Sequence, residues 1–243
     1  MFARRAVHAV MAVMMVGLMA IPAAAQSQQT GQDSPVVVEL FTSQGCSSCP
    51  PADAFLAMLA PRDDVIALGL HVDYWDYIGW KDVFGSPVFS ARQKAYAKAS
   101  GRRSVYTPQI IVQGESDVVG NHPMDVTDLI AEYRERPQGV SLAIRRDSDG
   151  LLHIAAAAKR QIAKPLIVQV IRYEPEAKVE ITRGENAGHR LAYANVVTEW
   201  TVLGEWDAST PYSATVPARG PRPVVVVIQQ RGPGRIEGVA RLR

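Results

Sequence analysis

Cysteine is scarce in this sequence of 243 residues and occurs only at Cys46 and Cys49. The absence of a second pair leaves a zinc site half complete, so His71 or His122 would have to supply further ligands. Both cysteines belong to one CxxC sequence. The chemistry of any cysteine site in this protein is therefore concentrated at a single place in the chain.

An excess of charge of either sign is also absent. The formal net charge is +2, but residues 1–25 contain Arg4 and Arg5 and no acid. Without those two, the 26 basic residues become 24, which equals the 24 acidic residues. Binding of phosphates requires a surplus of Lys and Arg on one face, so the composition argues against a nucleic-acid partner.

Long apolar runs are lacking outside the first 25 residues, so nothing else in the chain approaches the 18 or so residues of a membrane span. Within that segment, Arg4 and Arg5 precede the apolar stretch Ala6–Ile21, and three alanines end at Ala25. This pattern predicts a secretory signal peptide, residues 1–25, cleaved after Ala25, and a periplasmic or secreted protein. The alternative is a retained membrane anchor. The compartment of an exported protein is expected to be oxidising, so that two cysteines can form a disulfide there.

Several catalytic patterns are missing as well. We find no Ser-His-Asp set and no serine in a nucleophile elbow. The glycines of Arg183–Gly188 lack the strand–GxGxxG–helix context of a dinucleotide site, so a turn between strands is the better interpretation. The composition, 47% hydrophobic and 21% charged, is that of a globular chain with a sizeable core.

The chain after the signal peptide divides into a linker (residues 26–34), a first domain (35–137) and a second domain (138–243). The first domain is predicted in the order β-α-β, a helix, then β-β-α. Its predicted elements are strand Val36–Phe41, a helix after Cys49, strand Val65–Val72, a helix from Ser86-Pro87 to Ala99, strands Gln109–Val112 and Glu115–Val119, and a helix from Pro123.

The second domain shows only strand signals separated by turns, which is typical of a small antiparallel sandwich. The predicted strands are Val140–Arg146, Leu151–Ala157, Leu166–Tyr173, Asn195–Leu203, Tyr212–Val216, Val224–Gln229 and Ile236–Leu242. The expected fold class is therefore α/β: a mixed central sheet with flanking helices, followed by a small all-β, sandwich-like domain.

The CxxC lies between a buried strand and the start of a helix. Pro50 and Pro51 lack N–H donors, so they fit only the first helical positions, which predicts a cap near Ser48 and Cys49 at the first helical position. Free N–H groups and the helix dipole at such an end lower the pKa of a cysteine, here Cys46, below that of free cysteine. The alternatives are an inert disulfide staple, which a loop this short makes weak, or half of a zinc or copper site.

The arrangement strand–CxxC–helix, followed by Thr107-Pro108 and a hairpin, resembles the thioredoxin fold. More closely, Glu39–Asp53 (ELFTSQGCSSCPPAD), His71–Asp76 (HVDYWD) and Arg183–Gly188 (RGENAG) resemble the secreted thioredoxin-like proteins called the DUF1223 family. The resemblance covers most of residues 35–243. It implies a fold, but the family has no settled activity.

The resemblance implies roles for four residues. Cys46 would be the attacking thiolate, being the more exposed, and Cys49 the resolving thiol. Thr107-Pro108 would be a cis bond, and Pro108 would hold the backbone of a partner beside the sulfurs. Thioredoxin has a buried acid six residues before its first cysteine, where this chain has Leu40. Glu39, seven residues before, could accept a proton from Cys49 if a bulge shifted the register, or could simply pair with a base.

Strand Val65–Val72 should end at the same edge of the sheet as the CxxC. The residues expected near the cysteines, as a substrate groove, are Thr107, His71, Asp73, Tyr74 and Trp75. His71 or Asp73 could tune the ionisation of the thiols. The alternative is a loop of satisfied polar groups with aromatic side chains filling space between domains.

The sequence thus favours an exported thiol–disulfide oxidoreductase that uses a redox-active Cys46–Cys49 disulfide and no other cofactor. Its partner would be a protein or small-molecule thiol or disulfide, with no membrane association after cleavage. The alternative is a binding module or a copper or zinc carrier on a thioredoxin-like scaffold.

Overall fold

A computed structural model describes residues 35–243 of the chain. The predicted signal peptide, residues 1–25, and the linker 26–34 lie outside the described residues. Among the residues that are described, no helix combines the length and apolar character needed to cross a membrane.

The first part of the chain contains the predicted helices and strands in the predicted order. They are β1 (Val36–Thr42), α1 (Pro50–Leu59), β2 (Val65–His71), α2 (Pro87–Ala99), β3 (Gln109–Val112), β4 (Ser116–Val119) and α3 (Pro123–Glu135), with a short 3-10 helix at Asp76–Ile78. Every residue of β1 and β2 is buried, as expected for parallel strands covered on both faces. Helix α2 begins as predicted, with the Ser86 side chain accepting from the Val88 N–H and Pro87 in the first turn.

The second part is built entirely of strands, as predicted. They are β5 (Val140–Arg146), β6 (Leu151–Ala158), β7 (Leu166–Glu180), β8 (Arg190–Trp206), β9 (Tyr212–Pro217), β10 (Val224–Gln230) and β11 (Ile236–Leu242). Strands β7 and β8 are much longer than predicted. Their extension is a hairpin whose residues from Glu174 onward are mostly polar and partly exposed, so it has no apolar run to mark it in the sequence.

One large mixed sheet joins the two parts of the chain. Its eight strands have the order β11-β10-β7-β8-β2-β1-β3-β4, and β8 lies parallel to β2 with Val196 paired to Gly69. Beside this pair, the Asn195 side chain donates to the Ala67 carbonyl at 2.9 Å. Strands from both sides of the predicted boundary at 137/138 therefore belong to the same sheet.

The hydrophobic core has three parts. Helix α2 covers one face of the large sheet, and α1 and α3 cover the other. A second sheet of three antiparallel strands, β5-β6-β9, packs against the β7–β10 region and encloses the third part. Along β1, Val36, Val38 and Leu40 face α1, whereas Val37 and Phe41 face α2. This alternation decides which polar residues can reach the cysteines.

Candidate functional site

Cys46 and Cys49 form a disulfide between the end of β1 and the start of α1. Cys49 is the N-cap of the helix, and Pro50 and Pro51 occupy the first two helical positions. The prediction of a cap near Ser48, with Cys49 inside the helix, is wrong by one residue. The two prolines cost the helix no backbone hydrogen bond, because the first helical N–H groups have no intrahelical acceptor. The helix can therefore start directly on the Pro-Pro pair.

Both cysteines are buried in the disulfide form, with exposed fractions of 1% for Cys46 and 0% for Cys49. The expectation that Cys46 is the more exposed of the two is therefore not met in this state. The intervening Ser47 and Ser48 are exposed. Ser48 Oγ lies 3.4 Å from Cys46 Sγ, close enough for a hydrogen bond to the sulfur.

The loop between β7 and β8, residues 181–189, covers the first cysteine. We call it the covering loop. The Asn186 amide donates to the carbonyl oxygens of Gln44 and Cys46 at 2.9 and 3.0 Å, and Glu185 accepts from the Ser47 N–H at 3.3 Å. A segment about 140 residues away in sequence thus holds the backbone around Cys46. The sequence of the CxxC alone does not predict this long-range contact.

The covering loop is the tight turn that the glycines of Arg183–Gly188 predict. Gly184 has a φ of +78°, and a Cβ there would lie 3.2 Å from the Trp80 Cβ. A side chain at this position would be strained and crowded. Because Trp80 in turn donates to the Gln44 side chain at 2.8 Å, the loop, the tryptophan and the segment before Cys46 pack as one unit.

The Thr107–Pro108 peptide bond is cis, as predicted. Pro108 lies beside the start of α1, because a Cβ on Gly120 would be 2.8 Å from Pro108 Cβ and 3.0 Å from Ala52 Cβ. From the same β4–α3 turn, the Asn121 amide donates to the Ser48 carbonyl at 3.0 Å. A cavity of about 440 Å³ next to this turn includes Tyr106 and His122 in its wall.

Of the five predicted groove residues, Thr107 and Trp75 border this region, Asp73 and Tyr74 lie in the same loop as Trp75, and His71 takes no part in it. The Trp75 indole donates to Thr107 Oγ1 at 2.8 Å, and Trp75 Cβ would lie 3.1 Å from a Cβ on Gly45. Tyr74 donates to the Gln93 side chain and Asp73 accepts from the Ser90 hydroxyl. These three are partly exposed. Each makes the satisfied polar contact expected of the loop interpretation, and each is still partly exposed, as the groove interpretation requires.

His71 is not part of a groove, because its side chain is buried. It lies on the α1 face of the sheet, in register with Thr42, and its Nδ1 is 2.8 Å from Asp82 Oδ2. The ring packs edge-on against Phe84 and Tyr193. Although burial alone would raise it, the hydrogen bond with His71 holds the pKa of Asp82 below its ordinary value.

Glu39 points to the other face of the sheet. Its carboxylate binds the Arg92 guanidinium of α2 through two hydrogen bonds of 2.6 and 2.8 Å, and it accepts a third from the Tyr96 hydroxyl. Arg92 also stacks on Trp200, 4.0 Å from the ring centre. Of the two sequence interpretations, the structure places Glu39 in the ion pair. No bulge interrupts its pairing with Leu68 and Ile111.

Asp53, which lies in the segment Glu39–Asp53 that resembles the DUF1223 family, is a further buried acid. It lies on α1 one turn after Cys49, and its N–H donates to the Cys49 carbonyl at 3.1 Å. Burial raises the pKa of Asp53 to about 7, against the lowering influence of His71 and with the help of Asp82. The sequence signal that could have found it is the four-residue spacing from Cys49, which places two residues on one face of a helix.

Within residues 35–243, no group of three or more His, Cys, Asp or Glu side chains is arranged to bind a metal. The two histidines considered as ligands are engaged elsewhere. His71 is paired with Asp82, and the exposed His122 lies 3.4 Å from Asp125.

Comparisons with known proteins support one family. A solved structure from Agrobacterium tumefaciens, the protein AGR_C_4864, is 32% identical, with a TM-score of 0.74 over 87% of this chain and 95% of that one. HBP35 of Porphyromonas gingivalis is similar in fold alone, with 14% identity and a TM-score of 0.59 over 86% of this chain and 75% of that one. No curated protein matches the sequence. The family described as "Protein of unknown function (DUF1223)" matches residues 37–229, and the chain belongs to that family.

Proposed function

We propose that this protein is an exported thiol–disulfide oxidoreductase whose redox centre is the Cys46–Cys49 pair on a thioredoxin-like part of the sheet. The observation that carries the proposal is the placement of the disulfide. It joins the end of a buried parallel strand to the first turn of a helix, with the cis Thr107–Pro108 bond packed beside that turn. Export is supported by the pattern of residues 1–25, which predicts a periplasmic or secreted protein.

Cys46 is the sulfur that exchanges with the partner. It precedes the helix and is followed by the exposed Ser47 and Ser48, whereas Cys49 is the helix cap. The Ser48 hydroxyl, 3.4 Å from Cys46 Sγ, can donate to a thiolate there and stabilise it. Positive charge from the helix end acts in the same direction.

The exchange follows ordinary thiol–disulfide chemistry. A thiolate at Cys46 attacks a disulfide of the partner, which forms a mixed disulfide and releases one partner thiolate. Cys49 then attacks Cys46 Sγ, closes the Cys46–Cys49 bond and releases the second partner thiolate. The same steps run backwards when the protein acts as an oxidant.

The partner is a protein or a small molecule that carries a thiol or disulfide. The partly exposed Asp73, Tyr74, Trp75 and Thr107 form the surface on which it would lie, and Pro108, predicted to hold the partner's backbone, is buried directly behind Thr107. The covering loop shields Cys46 from one side, so the second part of the chain takes part in access to the site.

The proposal is tested by equilibrating the chain from Gln26 in glutathione buffers, with metal analysis of the same sample. We expect a reversible dithiol with a midpoint between about −120 and −270 mV. Cys49→Ser should trap a mixed disulfide with glutathione, and Cys46→Ser should trap none. Failure of Cys49→Ser to form any adduct, or stoichiometric zinc or copper after reducing purification, would contradict it.

A further inference from the structure

Helix α1 brings a second titratable residue to the cysteine pair. Cys49 and Asp53 are one helical turn apart and are joined by the backbone hydrogen bond between them, so their side chains leave the same face of the helix. Both residues are buried: Cys49 is fully buried, and Asp53 has an exposed fraction of 6%. A carboxyl group held in this way is shielded from bulk solvent and adjacent to the cysteine that has to lose a proton.

The surroundings of Asp53 form a buried polar cluster on the α1 face of the sheet. His71 at the end of β2 and Asp82 in the following loop form a pair at 2.8 Å, and both act electrostatically on Asp53. Tyr193 comes from β8, and its ring is 4.8 Å from that of His71. Thr42 ends β1 opposite His71 in the ladder. These are the titratable and polar groups that face Asp53 from the packed elements.

The cluster contains one polar atom without a partner. Thr42 hydrogen-bonds the Asp53 carboxyl group, whereas Tyr193 Oη, among the described residues, is buried without a hydrogen-bond partner. Buried polar atoms are normally paired, and unpaired ones in native structures point to a functional group or an ordered water. The unpaired hydroxyl belongs to the group of side chains around the acid that shares a helix face with Cys49.

Desolvation by the surrounding core raises the pKa of Asp53 to about 7. The carboxyl group can therefore hold or release a proton near neutral pH, which matches the condition for efficient general acid–base catalysis. Glu39 does not offer this alternative, because it lies on the opposite face of β1 and its charge is neutralised by Arg92.

We propose that Asp53 is the proton acceptor for Cys49 during the resolving step, with His71 and Asp82 as the charged pair in its surroundings. The inference rests on the proposed function. It assigns to Asp53, in the first turn of α1, the role of proton acceptor that the sequence offered to Glu39 of β1.

The step balances as follows. In the mixed disulfide, the Cys49 thiol gives its proton to the Asp53 carboxylate, and the thiolate attacks Cys46 Sγ. The Cys46–Cys49 bond forms, and the bond from Cys46 to the partner sulfur breaks with its electron pair on the partner. The partner disulfide has then been reduced to two thiols by two electrons from the Cys46–Cys49 dithiol, and Asp53 returns its proton to the partner thiolate or to water.

The test measures how fast the mixed disulfide with glutathione resolves in Asp53→Asn, across pH 5 to 10. Loss of a positioned base should slow the step roughly a hundredfold at pH 7, the lower end of what general bases contribute. Above about pH 9 the rate should approach that of the wild type, because hydroxide then removes the thiol proton. Asp128→Asn, a neutralised acid on the exposed face of α3, is the matched control and should resolve at the wild-type rate.

Equal rates for Asp53→Asn and wild type at every pH would overturn the inference. A uniform slowing with no recovery at high pH would also overturn it, because that is the result of a merely structural role. Failure of the adduct to form in Cys49→Ser would instead refute the proposed function itself, so the two outcomes are distinguishable.

A measurement on the unmutated chain covers the case in which Asp53→Asn does not fold. The carboxyl carbon of Asp53, followed by NMR, should titrate in one step in the disulfide form and in two coupled steps in the dithiol form, because it then shares a proton with Cys49. Identical titration curves in the two forms would contradict the proposed role.

Discussion

At the scale of single residues, Glu39 and Asp53 are two buried carboxyl groups in opposite electrostatic situations. Glu39 receives two hydrogen bonds from Arg92 and one from Tyr96, so its negative charge is matched. Asp53 faces a second acid, Asp82, as well as His71, and burial raises its pKa to about 7. A buried charge with an ion-pair partner holds its neighbouring elements in place, whereas an acid with such a raised pKa makes the stability of the protein depend on pH.

This difference predicts how stability depends on pH. The pKa of Asp53 is higher in the folded state than in the unfolded chain, so its contribution to stability is complete below about pH 4 and is lost as the pH rises to about 7. In Asp53→Asn that loss should be absent. In urea denaturation with the disulfide intact, we expect the free energy of unfolding of the wild type to fall relative to the variant by up to roughly 4 kcal/mol over that range.

Asp64→Asn provides a control of opposite sign. The hydrogen bond from Arg62 lowers the pKa of Asp64 below its ordinary value, despite partial burial. The wild type should therefore gain stability relative to Asp64→Asn as the pH rises from acid. Parallel curves of unfolding free energy for wild type and Asp53→Asn between pH 4 and 7 would show that folding does not raise the pKa of Asp53.

A site residue could be predicted from the sequence when a local motif marks it, and could not when its role depends on tertiary packing. Cys46, Cys49 and Pro108 lie in short motifs whose spacing is visible in the sequence. Asp53 lies in the same motif, but its importance depends on what covers it: His71, Asp82 and Tyr193 come from three other segments. No local pattern contains that information, because desolvation is produced by tertiary packing.

At the scale of elements, the β7–β8 hairpin is the feature that the sequence predicts least well. Its outer half is polar and its strand signal is weak, yet it carries the covering loop to the cysteine pair. The glycines of Arg183–Gly188 predict the turn at its tip. They do not predict where the tip lies, since the destination is set by the pairing of β8 beside β2.

Asn186→Ala tests the covering loop. The variant leaves the carbonyl oxygens of Gln44 and Cys46 without the amide, and loss of such buried bonds costs about 1–3 kcal/mol. We expect the loop to open more often and the disulfide to be reduced by dithiothreitol about tenfold faster. The measurement is the rate of thiol appearance in stopped flow.

Asn121→Ala is the comparison variant, because it removes an amide hydrogen bond to the exposed Ser48 carbonyl on the other side of the same turn. Its effect should be small, since water can replace the lost donor. An unchanged reduction rate in Asn186→Ala would mean that the loop does not limit access to the sulfurs.

At the scale of the whole molecule, the two parts of the chain share a sheet and a core. The core on the α2 face contains Phe41 and Leu68 from the first part and Ile171 and Val225 from the second. At the end of the sheet away from the disulfide, the Gln113 amide donates to the Ile236 carbonyl at 2.9 Å. Arg241 of the last strand donates to the Val65 carbonyl at 3.0 Å.

We therefore expect the chain from Gln26 to unfold in one transition. Neither part can expose its face of the shared core without disturbing the other, so calorimetric and van't Hoff enthalpies should agree. Near-ultraviolet circular dichroism and tryptophan fluorescence should give the same midpoint, because Trp75 and Trp206 report on the two parts. Two separate midpoints would show instead that residues 35–137 and residues 138–243 unfold as independent domains.

The sequence by itself determined the helices, the strands apart from the extended β7–β8 hairpin, the CxxC at a strand–helix junction and the α/β class, because each depends on local periodicity, proline and turn chemistry. The tertiary structure alone decided that β8 adds to the edge of β2, that Asn186 binds the backbone at Cys46, and that Asp53 is buried near His71 and Asp82 whereas Glu39 pairs with Arg92. These depend on contacts between residues far apart in the chain. Burial, charge pairing and strand adjacency are produced only when distant segments meet, so no local pattern encodes them.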